Sequence, residues 1–275
     1  MRSVARNPFL WLLLTLLSVV FLGPLVVMFL TSFKTTQESQ SVPPTIWPGE
    51  WTMRAYDVLL ASTDNPILRW AFNSFAAATA HALLVVVTAS MAGYALARMD
   101  FKFKNIIFGI IISTMFVPGF IFLMPNFLIL DSFGWLDTLL AIVVPGAAGA
   151  FGVFFMRQFF FSLPKEFEES ARIDGAGPFT TFFRVMLPNA VPAMVTLVVL
   201  SFLTNWNDFI WPLYVLFNDA NLTLPIGLTK LQGAYTIDYP VIMAGAVIAS
   251  LPVLILYTFV QRYVIDGVAS SGVKG

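Results

Sequence analysis

PKEFEESARIDGAGPFTTFFRVMLP, residues 164–188, is the long polar and charged interruption in the second half of an otherwise apolar chain. Pro164 suits a first helical turn, because proline lacks the N–H group that has no partner there. Three glutamates follow directly, where the positive end of a helix dipole favours acids. Gly175 provides a left-handed stop, and a Gly-Pro pair two residues later enforces the break. The sequence therefore predicts a short helix over residues 165–174.

The predicted helix has two unlike faces at helical spacing. The first face carries small side chains and one aromatic ring, on Phe167, Ser170, Ala171 and Asp174. The opposite face is charged and consists of Lys165, Glu169 and Arg172. A short, solvent-facing helix with this division is suited to docking against a partner. The alternative is an ordinary amphipathic helix that lies in the membrane interface between two spans.

Three groups of residues resemble the EAA loop of ABC-importer permeases, namely Glu169-Ser170-Ala171, Asp174-Gly175-Ala176 and Leu187-Pro188. That motif has Glu-Ala-Ala, two free positions, Asp-Gly-Ala, and later a hydrophobic residue two positions before Leu-Pro. This chain has Ser170 in place of the first alanine, and Val185 where isoleucine is commoner. In that family the loop is a cytoplasmic coupling helix that sits in a cleft of the ATP-hydrolysing subunit.

The resemblance implies mechanical roles for single residues. Glu169 would pair with a basic group in the ATPase cleft, and Gly175 would aim the helix through its left-handed turn. Ala171 would keep the contact face thin, and Asp174 would cap or brace the turn. The implied coupling residues are Glu169, Ser170, Ala171, Asp174, Gly175, Ala176, Leu187 and Pro188.

The composition indicates a membrane protein. The chain is 58% hydrophobic and 11% charged over 275 residues, with a mean hydropathy of +0.83. A soluble domain averages about 25% charged residues. A net charge of zero without a long basic run argues against nucleic-acid binding. The absence of cysteine excludes disulfides and thiolate chemistry, and a single histidine excludes a multi-histidine metal site, so we expect no metal.

Six apolar segments are long enough to span a bilayer, which takes about 20 residues. They cover residues 9–33, 71–97, 106–130, 138–161, 190–216 and 240–263. The first is too long for a signal peptide, and no A-x-A-like cleavage site follows it. Pro118 and Pro125 interrupt the third, where they either free backbone carbonyls or bend the helix. Pro145-Gly146 loosens the fourth. The sequence predicts one all-α transmembrane domain over residues 1–275.

Basic residues indicate the orientation of these spans. With the N-terminus inside, eleven of the fifteen lysines and arginines fall on inner segments and four on outer ones. This asymmetry predicts that both termini are cytoplasmic. It also places residues 164–188 on the side of the membrane where ATP is available. The topology and the motif therefore agree.

A polar stripe runs along the fifth predicted span. Ser201, Thr204, Asn205 and Asp208 follow at i, i+3, i+4 and i+7 on one helix face, and Trp211 lies near them. Such a stripe is costly against lipid, so it faces protein or a water-filled cavity. It lines a translocation pathway for a polyhydroxylated solute, or it joins this helix to a neighbouring span.

Residues 205–213, NWNDFIWPL, and 222–228, LTLPIGL, are similar to segments of sugar-importer permeases of the maltose-transporter kind. The ending from Gly267 is similar as well, and the resemblance is strongest over residues 152–275. It implies a carbohydrate or polyol substrate and the type I importer permease fold, with six transmembrane helices and a cytoplasmic coupling helix. The particular solute, and whether its pocket lies in this subunit or its partner, are left open.

No G-x-x-x-x-G-K-[ST] phosphate loop occurs in the sequence, so the chain is expected neither to bind ATP nor to be an enzyme. The resemblance implies that ATP and Mg²⁺ belong to a partner ATPase dimer. It also implies a second homologous permease subunit, an extracytoplasmic solute-binding protein and a location in a bacterial or archaeal cytoplasmic membrane. Two alternatives are a purely structural scaffold and a self-contained carrier or channel that uses Asp208 and His81. His81 either lines the cavity or is a hydrogen-bonded packing histidine.

Overall fold

The computed structural model describes residues 8–232 and 237–272, and every regular element among them is helical. This agrees with the expected all-α class. Three 3₁₀ turns and one π-helical turn, Phe182–Met186, accompany the α-helices. In chain order the α-helices are α1 Pro8–Thr31, α2 Thr36–Ser39, α3 Arg54–Ala61, α4 Ile67–Arg98, α5 Lys104–Ser113, α6 Leu123–Ser132, α7 Leu140–Val143, α8 Ala150–Ser162, α9 Glu166–Ile173, α10 Pro178–Thr181, α11 Leu187–Asn189, α12 Val191–Trp206, α13 Ile210–Val215, α14 Leu224–Lys230 and α15 Tyr239–Gly272.

The chain divides into two compact units. The first contains the described parts of Met1–Arg69 and Leu224–Pro252. Its helix α1 is apolar and exposed along its length, and only Leu30 is buried in it. After α1, the ring of Phe33 lies 5.1 Å from the ring of Phe29 near the end of that helix and 5.3 Å from the ring of Tyr56 in α3. An exposed apolar helix of this kind is typical of a protein that is covered by lipid or by a partner.

The second unit contains Trp70–Thr223 and the described part of Val253–Gly275. Its core lies where α4, α8 and α12 meet. The ring of Tyr94 packs edge-on against Phe160 at 5.5 Å and lies 4.9 Å from Phe182, which fixes the three rings in one aromatic cluster. The buried core residues are Val85, Val86, Ala89, Tyr94, Ala97, Ala147, Met156, Phe160, Phe182, Met186, Ala190, Ala193 and Leu197.

Three of the predicted spans form continuous helices that are long and apolar enough to cross a membrane. The segments 9–33 and 71–97 correspond to α1 and α4, and 240–263 lies within α15. Pro24 in α1 and Pro252 in α15 lie inside these helices without ending them. In membrane helices such prolines are tolerated where other groups satisfy the freed carbonyl.

Two further predicted segments are bent. The third consists of Lys104–Phe116 and Gly119–Ser132, which meet at 98°. Pro118 stands at this break, and it favours extended backbone in the residue before it, which has φ −87° and ψ 121°. At the start of the fifth, Pro178–Asn189 and Val191–Trp206 meet at 74°. The third segment is therefore not one straight helix.

The fourth predicted segment, 138–161, is not a single helix either. It consists of the one-turn helix α7, a turn over residues 144–149, and α8. Gly146 adopts φ +78°, which lies in the left-handed region, and the proline before it cannot donate a helical hydrogen bond. The fifth segment, 190–216, also stops at Trp206 and resumes in α13. By length and apolarity the described residues offer three spans, or up to five if each bent pair counts as one.

Gly93 allows α4 and α8 to approach closely. A Cβ atom added at Gly93 would lie 2.8 Å from the Cβ of Met156 and 2.9 Å from the backbone nitrogen of Arg157. The second of these atoms belongs to the backbone of α8 and cannot swing aside. A side chain at position 93 therefore requires the two helices to separate.

Replacing Gly93 with alanine is expected to destabilise the protein by about 1–3 kcal/mol, the usual cost of overpacking. The matched control is Gly109→Ala in α5, where an added Cβ meets nothing within 4 Å. Alanine there is expected to be neutral or to stabilise by about 1 kcal/mol, because it favours helix over glycine. Thermal melting in detergent, followed by circular dichroism, measures both. Equal melting temperatures of Gly93→Ala and wild type would contradict the close packing.

Candidate functional site

The segment after α8 forms the short helix that the sequence predicts, with one residue fewer at each end. α9 covers Glu166–Ile173 rather than 165–174. Lys165 is the N-cap, so Pro164 lies outside the helix, and the expectation of a proline in the first turn is wrong. The acids form the first turn instead, where the unpaired N–H groups and the helix dipole favour negative charge.

The end of α9 is fixed by a Schellman motif. Gly175 adopts φ +79°, which confirms the predicted left-handed stop. The N–H of Ala176 donates to the carbonyl of Ala171 at 2.9 Å, and the N–H of Gly175 donates to the carbonyl of Arg172 at 3.0 Å. This pair of bonds defines the motif, with Asp174 as the C-cap. The direction in which the chain leaves α9 is therefore set by local backbone hydrogen bonds.

The outward surface of α9 differs from the expected one. Glu169 and Ser170 are exposed, but Ala171 is only 6% exposed and packs inward. The strongly exposed apolar side chains are Ile173, at 86%, and Phe179 in the following helix, at 77%. Sequence analysis missed these two residues. Their signal was available, because large apolar side chains are unusual in so short and polar a segment.

The remaining motif residues lie at the end of the segment. Ala176 and Leu187 are half-buried, and Pro188 is exposed. Leu187 and Pro188 belong to α11, which follows directly on the π-helical turn Phe182–Met186. Single π-helical turns occur often at functional sites. The motif residues therefore lie on two helical stretches between α8 and α12, with the turn at residues 174–177 between them.

A buried ion pair attaches α9 to the rest of the second unit. Arg98, the last residue of α4, places its Nη1 atom 3.4 Å from Oε2 of Glu168. The two side chains are only 6% and 14% exposed. The hydroxyl of Tyr94 donates to Oε1 of Glu168 at 3.1 Å. Sequence analysis missed Arg98 and Glu168 as a pair, since 70 residues separate them.

The broken fourth segment accepts hydrogen bonds from side chains that were predicted to line a pathway. Residue 145 is proline, so the carbonyl of Ala141 lacks its usual i+4 donor. Nε1 of Trp211 donates to that carbonyl at 2.8 Å. Nδ2 of Asn205 donates to the carbonyl of Ile142 at 2.8 Å. Asn205 and Trp211 therefore join the fifth span to the fourth, which is the second of the two roles considered for the stripe.

Helix α4 supplies two further contacts to the same segment. Nδ1 of His81 lies 2.8 Å from the carbonyl oxygen of Val143. The hydroxyl of Thr88 donates to the carbonyl of Ala147 at 2.6 Å. His81 is buried and acts as a hydrogen-bonded packing histidine, one of its two predicted roles. The carbonyls of residues 141, 142, 143 and 147 are thus contacted by side chains from α4 and from the pair α12 and α13.

The predicted stripe is not one continuous helix face, because α12 ends at Trp206. Ser201 is buried, whereas Thr204 is exposed and donates to the carbonyl of Leu200 in its own helix at 2.8 Å. Asp208 lies in the break between α12 and α13. Its Oδ1 accepts the N–H of Trp211, in the first turn of α13, at 3.4 Å. Of the five residues, Thr204 is the one whose side chain is exposed.

Asp137 fixes the turn before α7 to the chain after α13. It adopts φ +58°, and its Oδ1 accepts the N–H groups of Phe217 at 2.9 Å and Asn218 at 3.0 Å. Its own N–H donates to the carbonyl of Val215 at 2.7 Å. Burial disfavours the charged carboxylate, but the two backbone N–H groups and the side chain of Asn221 outweigh it and lower the pKa of Asp137.

The amide of Asn205 is expected to stabilise the protein through the carbonyl of Ile142. Asn205→Leu leaves that carbonyl without its donor and should destabilise by about 1–3 kcal/mol. The matched control is Thr204→Val, one residue away, which removes only an exposed hydroxyl bonded to its own helix and should change stability by less than about 0.5 kcal/mol. Denaturant titration in detergent compares the two. A smaller effect of Asn205→Leu than of Thr204→Val would contradict the bridging role.

The lowered pKa of Asp137 predicts an acid-sensitive contribution to stability. A carboxylate whose folded pKa is lowered stabilises the fold above its unfolded pKa of about 3.9, and this contribution is lost as pH falls through the folded pKa. Asp137→Asn tolerates the same backbone conformation but carries no charge. The difference in the free energy of unfolding between wild type and Asp137→Asn should be constant between about pH 5 and about pH 7. It should shrink below about pH 4. A difference that is independent of pH would contradict this assignment.

Comparisons with known proteins agree on the family. A family model described as "Binding-protein-dependent transport system inner membrane component" matches residues 85–270. The chain is 36% identical over 262 residues to the arabinooligosaccharides transport system permease protein AraQ of Bacillus subtilis (strain 168), covering 94% of this chain and 93% of that protein. It is 33% identical over 261 residues to the diacetylchitobiose uptake system permease protein NgcG of Streptomyces coelicolor, covering 94% and 85%.

The fold is also similar to a solved structure. It matches a chain in the crystal structure of a bacterial ABC transporter involved in the import of the acidic polysaccharide alginate, with a TM-score of 0.80 and 26% identity. The match covers 96% of this chain and 98% of that chain. The chain therefore belongs to the family of binding-protein-dependent transport system inner membrane components, and it is an inner-membrane permease of the ABC-transporter kind.

Proposed function

We propose that this chain is one transmembrane subunit of an ATP-driven importer for a carbohydrate or polyol. The substrate class is supported by relatives whose names refer to arabinooligosaccharides, diacetylchitobiose and lactose, and by the likeness to an alginate importer. Thr204, Asn205, Asp208 and Trp211 are all engaged with backbone groups. The hydroxyl of Thr204 is exposed and can still accept a hydrogen bond from a passing solute. The solute therefore meets few polar groups of the predicted stripe.

The coupling role of residues 164–188 is supported most directly by the exposed side chains of Ile173 and Phe179. These side chains lie in a segment whose course is fixed by the Schellman motif and by a buried ion pair. Burial of apolar surface contributes about 25 cal/mol per Å². Two large exposed apolar side chains on a rigid support therefore suit a docking surface for an ATPase subunit. Exposed Glu169 remains available to a basic group of that partner.

The mechanism that follows is alternating access. Residues 1–275 form one membrane domain with six spans and both termini in the cytoplasm, paired with a second homologous permease. A separate ATPase dimer binds ATP and Mg²⁺, because the sequence contains no phosphate loop. Its closure moves the docked helices and switches the two permeases between inward-facing and outward-facing states. An extracytoplasmic solute-binding protein delivers the solute.

Contacts of Asp208 and His81 argue against a self-contained carrier. The carboxylate of Asp208 accepts the N–H of Trp211 in α13, and the imidazole of His81 bonds to the carbonyl of Val143. Both groups therefore have structural partners within the chain. A carrier that used them as an ion site would have to break these bonds in each cycle.

Substitution of the exposed apolar side chains tests the proposal. Ile173→Asp and Phe179→Asp should leave the chain folded, because both positions are exposed, but should abolish co-purification of the ATPase. We expect at least about a tenfold loss of affinity, since an interfacial anchor contributes roughly 2 kcal/mol or more. The matched control is Ile46→Asp, an exposed isoleucine in the loop after α1, on the predicted outer side of the membrane.

The measurement is quantitative recovery of the ATPase with the tagged chain, together with solute uptake into proteoliposomes. Loss of both with the variants at 173 and 179, and retention of both with Ile46→Asp, supports the proposal. Normal recovery and uptake with the variants at 173 and 179 would overturn the docking surface. Uptake by the purified chain alone, driven by a gradient, would replace the importer with a carrier.

A further inference from the structure

The guanidinium of Arg98 makes three contacts, with α9 and with the C-terminal end of α8. Its Nη1 atom pairs with Glu168 on α9 at 3.4 Å. Its Nε donates to the carbonyl of Phe160 at 2.9 Å, and its Nη2 donates to the carbonyl of Leu163. These carbonyls belong to the C-terminal end of α8, where the last four carbonyls of a helix lack intrahelical donors and favour a cation. One side chain from the end of α4 therefore joins α8 and α9.

Glu168 is held at both carboxylate oxygens by α4. Oε2 faces Arg98, and Oε1 accepts a hydrogen bond from the hydroxyl of Tyr94. Tyr94 lies one helical turn before Arg98 on α4. The ring of Tyr94 is itself fixed against Phe160 and Phe182. An ion pair with 6% and 14% exposed side chains is little screened by solvent, and removal of one partner leaves the other as an uncompensated buried charge. We therefore expect this contact to persist while α9 moves.

Neighbouring Glu169 has a different environment. Its side chain is exposed and makes no hydrogen bond or ion pair with the described residues 8–232 and 237–272. Adjacent residues on a helix point about 100° apart, so Glu168 faces the membrane domain while Glu169 faces away. Within the described residues, Glu168 is therefore bound to α4, whereas the side chain of Glu169 is exposed to a partner.

We propose that Arg98 is the positioning residue that transmits a displacement of α9 to α4 and α8. This inference rests on the proposed coupling function and names the residues through which the movement passes. A displacement of α9 moves Glu168, whose carboxylate is bound to Arg98 at the end of α4. The guanidinium of Arg98 also binds the carbonyls at the end of α8. The three helices move as one body as long as the Arg98–Glu168 contact is intact.

The absence of cysteine in the chain allows a clean test. A cysteine introduced at exposed Glu166, in the first turn of α9, carries a spin label that reports the mobility of this helix. The label is compared in Arg98→Gln, in the double variant Arg98→Gln/Glu168→Gln and in Lys102→Gln, all in the complete transporter in nanodiscs. Lys102→Gln is the matched control, because it removes an exposed cation four residues away from Arg98.

The double variant separates positioning from folding, because it removes both charges and leaves no uncompensated one. We expect it to assemble with the ATPase, to show increased label mobility, and to transport about tenfold less solute per ATP hydrolysed, a typical size for coupling between two sites. Arg98→Gln alone should show the same loss of coupling. Lys102→Gln should behave as wild type in label mobility, in assembly and in solute transported per ATP.

Two results distinguish failure of this inference from failure of the proposed function. An assembled double variant with wild-type label mobility and wild-type transport per ATP overturns the role of Arg98 and leaves the importer intact. A wild-type chain that neither recovers an ATPase nor transports solute with ATP overturns the proposed function. In that case the label mobility of the purified chain still reports whether Arg98 holds α9.

Discussion

Backbone carbonyls released within the apolar part of the chain need donors from the chain itself, and this requirement organises the second unit. The hydrocarbon core of a membrane offers no water to such groups, and each unsatisfied one costs several kcal/mol there. Pro145 and Gly146 break the fourth segment and release the carbonyls before them. Trp211, Asn205 and His81 contact these carbonyls from two sides. Their positions therefore determine how the helices around the break can pack.

Local signals made the segment of residues 164–188 largely predictable. Three acids, a glycine that needs φ above zero and a Gly-Pro pair each act within a few residues, so α9 and its Schellman stop follow from sequence. The same holds for α1 and α4, which are long and predominantly apolar. The bent third and broken fourth segments were predicted as spans because their composition is equally apolar. Pro118 and Pro145 were visible in the sequence, but whether a proline bends a helix or ends it depends on which neighbours can satisfy the released carbonyls.

Contacts between distant parts of the chain could not be predicted from one sequence. Arg98 was counted only as a cytoplasmic cation, and Glu168 only as one acid of a first turn, although their pairing fixes α9. The polar stripe was predicted from the helical spacing of Ser201 to Asp208. Because α12 ends at Trp206, Asp208 does not share a helix face with the other residues. Its amide and indole donors serve the neighbouring segment. A periodic pattern identifies polar positions, but the acceptor is set by tertiary packing.

The C-terminal part of α4 is attached to α8 and to the turn before it at three positions. Thr88, Gly93 and Arg98 follow at intervals of five residues on α4. In the same order they bond to the carbonyl of Ala147, approach the backbone of α8 near Met156, and bind the last carbonyls of α8. The first contact satisfies a carbonyl in the turn before α8, the last satisfies carbonyls at its C-terminal end, and the middle one tolerates no side chain. Separation of the two helices would expose polar backbone. Under the proposed role of Arg98, a displacement applied at the Arg98 end would therefore reach the broken segment at the Thr88 end.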